Sequence, residues 1–353
     1  MTSQRLWALG YLCIFLMPTL LLVGALMDLH WLAFAAVVLV FPAARLAFGS
    51  LPATVPDWRE GIATILHRLP LFYVPVLATC MLVSLSLLAT PGHGPWDWIG
   101  YGLSLWMTLL FGICVAHELI HRRRADEALA GSILAGVCGY PVLSVEHLAH
   151  HSRPGDLGRA EYPSADESVW RFAGRRLTRV VHEFLGIGTN VWSGRSRSSS
   201  LGRLRWALAS TALTAAVVTV CAGAAGLLTY AAVSAGVAFG VQLITYIQHW
   251  GLADDPRLVG HGRGWEEDCR FQAWITLNIS LHDVHHLDSR LPYYRLSMAA
   301  DSPRLPAGYV VLMFTSLVPR LWFHLMGPAL AHWHRQPQAP VSAGRRLTCF
   351  GLY

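Results

Sequence analysis

The chain contains no lysine; all 27 fixed positive charges are arginine, set against 21 carboxylates for a net charge of +6. Charge of either sign is scarce at 14% of residues. Soluble domains carry about 25%, and the shortfall excludes an ordinary soluble fold. The arginines form no stripe interleaved with aromatic residues, so nucleic acid is not an expected partner. On so apolar a chain, arginine serves membrane topology and lipid headgroups. Cysteine is also uninformative as chemistry. None of the seven forms a CxxC pair, and at least four lie in apolar runs where a thiol behaves as a small hydrophobe. That argues against a fused iron–sulfur or rubredoxin module. No short cleavable leader is legible, because the first apolar run is long enough to span a bilayer and reads as a helix that stays.

What is abundant is apolar length: 54% hydrophobic residues and a mean hydropathy of +0.42. Runs of spanning length lie at about 7–27, 31–49, 70–90, 97–116, 206–228 and 230–249. Each approaches the roughly 20 helical residues that cross about 30 Å of hydrocarbon. The expected fold is an all-α integral membrane protein with six transmembrane helices. The short connections at Met27–His30, Pro91–Pro95 and near Tyr230 carry almost no arginine. Arg5, the 45–68 loop, Arg122–Arg124 and the 171–205 stretch fall on the other side, which the positive-inside rule places in the cytoplasm. This predicts a multi-pass membrane protein with both termini inside. Residues 1–334 read as one domain without internal repeats, and 335–353 as a loose tail. Glu127–Leu143 is too short for a span and reads as an interfacial or partly embedded helix. Gly308–Gly327, interrupted by Pro319 and Arg320, reads as interfacial.

Histidine carries the chemistry. His117 and His121 are one helical turn apart on one face. His147, His150 and His151 are spaced i, i+3, i+4, and His282, His285 and His286 repeat that spacing. With His249 they make nine, all at span ends on the arginine-rich side. Crowding nine imidazoles without a ligand would strand ring nitrogens at about 1–3 kcal/mol each. A metal centre is therefore expected as a cap on the cytoplasmic side. No cysteine lies near these clusters, which disfavours structural zinc. Nine ligands exceed the needs of one ion, so two are expected, and imidazole-rich ligation suits iron that activates dioxygen. Glu118, Glu146 and Asp283 adjoin ligand histidines and are candidate catalytic residues acting through them, by orienting an imidazole N–H. Glu161, Asp166 and Glu167 could support metal ligands from behind or form a solvated loop, and the loop is the preferred reading. His30, His67, His93, His182, His261, His324, His332 and His334 read as interfacial polar residues, and Trp7, Trp31, Trp96, Trp98 and Trp106 as an aromatic belt.

HELIHRR at His117–Arg123, EHLAHH at Glu146–His151, YIQHWGL at Tyr246–Leu252 and LHDVHH at Leu281–His286 resemble, in order, the four histidine motifs of the membrane alkane monooxygenases. That group includes the xylene monooxygenase hydroxylase and lies within the fatty acid desaturase/hydroxylase superfamily; the resemblance covers roughly residues 5–330. It implies a six-span bundle whose nine histidines bind two non-haem irons and which hydroxylates an unactivated C–H bond. The implied substrate is an alkane, alkyl or fatty-acyl chain, with O2 as co-substrate. Electrons would come from a rubredoxin or ferredoxin and its NAD(P)H-dependent reductase. Three of the motifs depart from the family pattern. Only two residues separate His147 from His150, as in desaturases; Thr245, Gln248 and Trp250 replace Asn, Glu and Tyr; and Leu281 replaces Arg. Two other readings follow. A desaturase or tailoring oxidase of a lipid or specialised metabolite would use the same irons. A non-catalytic metal carrier would spread its histidines across membrane depth.

Overall fold

The computed structural model describes residues 2–52, 54–151, 157, 161–184, 196–253, 264–299 and 302–336. His261, Cys349 and the tail from 337 onward, on which parts of the sequence reading fall, lie outside the described residues. Among the described residues the protein is all-helical, with only isolated β-bridges. Four helices are long and apolar enough to cross a membrane: α1 (Gln4–Leu26), α3 (Glu60–Leu88), α4 (Pro95–Ile120) and the apolar part, Leu201–His249, of α8. Between the first two lies a shorter apolar helix, α2 (Leu32–Phe48). Its middle loosens into π and 3-10 turns at 36–43, where Pro42 cannot donate an N–H.

Helix α8 (Ser196–His249) is bent, with non-helical backbone at Ala222 and Gly223. The bend folds it back on itself: Ser210 and Tyr230, on opposite limbs, both bond carbonyls at the end of α5 (Ala125–Val137). The sequence places this break near Tyr230, and the structure moves it some seven residues earlier. Hydropathy misleads here because Cys-Ala-Gly-Ala-Ala-Gly at 221–226 is apolar, yet it contains a glycine able to adopt φ +60°. Tyr230 only looks like an interruption; its hydroxyl is buried against Gly136 and Val137. Helix α3 likewise starts ten residues before the expected span, because Glu60–Leu69 continues the helix past the apolar boundary.

The short apolar segment that follows α4 forms α5. It turns back from α4 and runs beside it from the level of Ile120 to that of Gly112, about 12 Å at 1.5 Å per residue. Glycines permit this depth. A Cβ on Gly131 would lie 2.9 Å from the Ala116 carbonyl, and one on Gly136 would lie 2.1 Å from that of Ala207. At Gly139 (φ +78°) the chain reverses and delivers α6 (Leu143–His151) to the end of α4. Helix α7 (Val169–Phe184) packs on α8. Short helices α9 (Arg270–Ile275) and α10 (His282–Leu287) cover the same end. The last apolar stretch forms two helices, α11 (Tyr309–Ser316) and α12 (Pro319–Arg335), divided before Pro319.

The cap is tied to the bundle by buried polar contacts. Leu277 and Asn278 both have positive φ, and the Asn278 amide donates to the Tyr11 hydroxyl at 3.0 Å and the Tyr293 carbonyl at 2.7 Å. Tyr293 in turn donates to the Leu66 carbonyl on α3. These bonds fix the turn that leads into α10.

Candidate metal centre

Four segments that are distant in sequence meet at one end of the bundle. Helix α4 brings His117 and His121, α6 brings His147, His150 and His151, α8 ends on His249, and α10 carries His282, His285 and His286. The rings sort into two pockets. His117, His121, His147, His151 and His285 form one, and His150, His249, His282 and His286 form the other. Within each, one ring nitrogen per residue lies within 4.8 Å of all the rest. All nine proposed ligands are thus brought together, seven buried and two half-buried.

The spacing of the nitrogens is chemically informative. Nε2 atoms approach at 2.9 Å (His121–His147), 2.8 Å (His147–His151) and 3.1 Å (His151–His285) in the first pocket. In the second they approach at 3.0 Å (His150–His249), 2.9 Å (His249–His282) and 3.0 Å (His282–His286). A neutral imidazole has one N–H and one lone pair, so a ring of mutually converging Nε2 atoms cannot all be satisfied by hydrogen bonds. Two nitrogens each about 2.1 Å from one ion and at right angles are about 3.0 Å apart, whereas tetrahedral angles would set them at about 3.4 Å. The observed spacing is that of nitrogens able to share one ion. Among the described residues, the buried His117 Nε2 has no hydrogen-bond partner, which the same ion would satisfy. The residues fit a pair of imidazole-bound metals.

Electrostatics keep the donors neutral. Burial first, then the neighbouring rings, lowers the pKa of His147, His151, His282 and His286 well below the usual histidine value. His285 falls to about 3. These rings present lone pairs at neutral pH, the form metals require. The chelated protein should therefore lose stability in acid. Its folded-state imidazoles titrate below the unfolded value of about 6.5, so the unfolded chain takes up protons first as pH falls. Stability should be fully present above that pH and decline through pH 6 and below. Thermal unfolding of the chelated protein in detergent across pH 8 to 5 checks this; a melting temperature that holds or rises on acidification would contradict it.

The flanking carboxylates do not all behave as their positions suggest. Glu118 meets Arg122 at 2.8 Å and accepts the Tyr293 N–H at 3.4 Å, so it braces the end of α4. Asp283 accepts from Ser302 at 2.7 Å and from the Gly264 N–H at 3.4 Å, anchoring the start of α10. Glu146 accepts the Tyr140 hydroxyl, which also receives the Gln242 amide at 2.9 Å. Its other oxygen takes Arg176 Nε at 2.9 Å. Arg176, buried on α7, reaches Glu161 at 2.6 Å, and Glu161 lies 3.5 Å from His150 Nδ1. Glu161 is therefore no solvated loop residue, which corrects the sequence reading. Burial alone would raise its pKa, but the Arg176 guanidinium and then His150 bring it down to about 2. Nothing in AEYPSADES marks Glu161, because its partner stands on a helix 15 residues away. Asp166 is exposed as expected, whereas Glu167 is buried against Arg175. Tyr162 was also not legible; its ring lies 4.0 Å from that of His249 and stacks on His150. The Gln248 amide donates to the Ile279 carbonyl at 3.4 Å.

Comparison with known proteins agrees with this geometry. The model of the family described as fatty acid desaturase matches residues 96–317, a stretch that contains every one of the nine histidines. The chain is 28% identical to alkane 1-monooxygenase 1 of Pseudomonas aeruginosa, over 88% of this chain and 86% of that one. It is 26% identical to alkane 1-monooxygenase 2 of the same organism, over 90% and 88%. It is also 26% identical to the xylene/toluene monooxygenase hydroxylase component of Pseudomonas putida, over 67% of this chain and 65% of that one.

Proposed function

The chain belongs to the fatty acid desaturase family and to its alkane-monooxygenase-like oxidoreductases, and we propose that it is a membrane-bound non-haem di-iron hydroxylase of an apolar alkane, alkyl or fatty-acyl chain. The observation that carries the proposal is the convergence of nine imidazoles into two pockets, eight of them with a neighbouring Nε2 at 2.8–3.1 Å. Two irons there, when bound, supply the activation of dioxygen needed to oxidise an unactivated C–H bond. The chain's own residues hold the neutral donors, exclude water and present the substrate carbon. The Glu146–Arg176–Glu161 chain fixes α6 and α7 against one another, and Tyr162 closes the four-imidazole pocket from the side.

The topology that fits this function has six spans. Helices α1 to α4 supply four and the two limbs of α8 the rest, which brings the ends of α4 and α8 to one face. Arg45 and Arg122–Arg124 share that face, which supports a cytoplasmic site and an inner-membrane location. An apolar substrate would enter from lipid and reach the cap from among the spans. Electrons would come to the cytoplasmic face from a rubredoxin or ferredoxin with its NAD(P)H-dependent reductase.

The two-residue spacing between His147 and His150 favours a second reading, a desaturase or tailoring oxidase on the same irons. Mass spectrometry of the product decides between them. Incubation with medium-chain alkanes or acyl chains, O2 and a reconstituted electron donor should give a product heavier by one oxygen atom. That atom should be labelled when the gas is 18O2. A product lacking two hydrogens, with no oxygen gained, would replace hydroxylation with desaturation.

A further inference from the structure

At the far end of α4 from the nine histidines, two connecting loops meet. Met27–Trp31 joins α1 to α2, and Thr90–Gly94 joins α3 to α4. Along α4, Pro95 and His117 are about 33 Å apart at 1.5 Å per residue, so this junction is remote from the centre described above. Asp28, His30 and His93 stand there with one ligand-type atom each, all within 4.8 Å of one another. The ring centroids of His30 and His93 are 5.0 Å apart.

His30 is 3% exposed, and among the described residues neither of its ring nitrogens has a hydrogen-bond partner. It is held in place by its backbone, whose carbonyl accepts the Ser104 hydroxyl at 2.7 Å. The next residue, Trp31, lies flat on α4 where a Cβ at Gly100 would come within 2.4 Å of it, and its ring packs on Trp96. The buried, unpartnered ring is thus fixed rather than free to seek water. His93 shows the complementary feature. Its Nδ1 is 3.1 Å from the Thr90 carbonyl and its Nε2 is 3.2 Å from Asp28 Oδ1, so both nitrogens face acceptors. A neutral imidazole has one N–H to donate, so two acceptors call either for a second proton on the ring or for a cation at one nitrogen. A cation between Nε2 and the carboxylate resolves this, because Nδ1–H then donates to Thr90, the usual way a ligand histidine is oriented.

We propose that Asp28, His30 and His93 form a third metal site, separate from the nine-histidine centre, for a divalent ion of the zinc, copper or nickel type. Two imidazoles and one carboxylate suit such ions, with water completing the coordination. Bound there, the ion ties the α1–α2 loop to the α3–α4 loop and so fastens two helical hairpins at the end of the bundle opposite the cap. The proposal does not depend on the reaction assigned to the chain.

The test uses full-length protein in detergent with its iron already counted. After Zn2+ addition and desalting, the wild type should retain one more equivalent of zinc than His30→Gln or His93→Gln, with iron content equal in all three. Asp28→Asn, on the exposed loop, should weaken zinc binding at least tenfold and serves as the variant least able to disturb folding. Co2+ in place of Zn2+ should give a d–d absorption band in the wild type that these variants lack. Equal zinc in wild type and variants would overturn the proposal. So would zinc uptake matched by loss of iron, which would place the zinc among the nine histidines.

Discussion

Replacing His282 with alanine is expected to reduce product formation by more than about 100-fold, since even groups that only orient a ligand are worth 10–100-fold in metal affinity or activity. The variant should also retain one metal ion per chain instead of two. The reasoning rests on how the rings divide. His282 belongs to the pocket of four, where its Nε2 stands 2.9 Å from that of His249 and 3.0 Å from that of His286. Its loss leaves three imidazoles. His285 belongs to the pocket of five, so His285→Ala leaves four. Metal should therefore be lost more completely from the second pocket in His282→Ala than from the first in His285→Ala. Iron analysis of the two variants beside the wild type checks the order. Equal retention of both ions in His282→Ala would show that the pockets are drawn wrongly.

Arg176→Ala should be the most destabilising single change outside the histidines. The guanidinium is buried and bridges two buried carboxylates, Glu146 and Glu161, at 2.9 and 2.6 Å. Removing it leaves both acids without their counter-charge, a loss of about 3–5 kcal/mol for a buried pair. Because Glu146 precedes His147 of the first pocket and Glu161 stands beside His150 of the second, both pockets should loosen along with the fold. Arg176→Lys keeps the charge but cannot place two N–H groups at both carboxylates, so it should recover part of the stability. Thermal unfolding of the three proteins in detergent measures the effect. An Arg176→Ala protein as stable as the wild type would contradict the bridging role.

The parts legible in the sequence were those written in local periodicity. The four apolar helices follow from unbroken runs, and eight of the nine histidines from repeated one-face spacing, with the lone His249 legible only through its motif. Depth and direction were less visible. The bend at Ala222–Gly223 is hidden because small apolar residues score like any other part of a span, while the buried Tyr230 imitates a boundary. The carboxylates show the limit most clearly. Glu118 and Asp283 adjoin clustered histidines in sequence yet bond Arg122 and Ser302, whereas Glu161, in an acidic loop, reaches His150 through the fold. Adjacency in sequence fixes the Cα, not the direction of the side chain. The pairing of His30 with His93 was hidden for the same reason, since 63 residues and a helical hairpin separate two loops that the bundle brings together.

The metal content of the purified wild-type protein tests the central claim most directly. Protein produced in iron-replete medium and analysed by elemental mass spectrometry, with oxygenase activity measured on the same sample, should hold two irons per chain. Activity should fall in step with iron as a chelator removes it. An active preparation without metal, or one whose activity is indifferent to iron removal, would contradict the account.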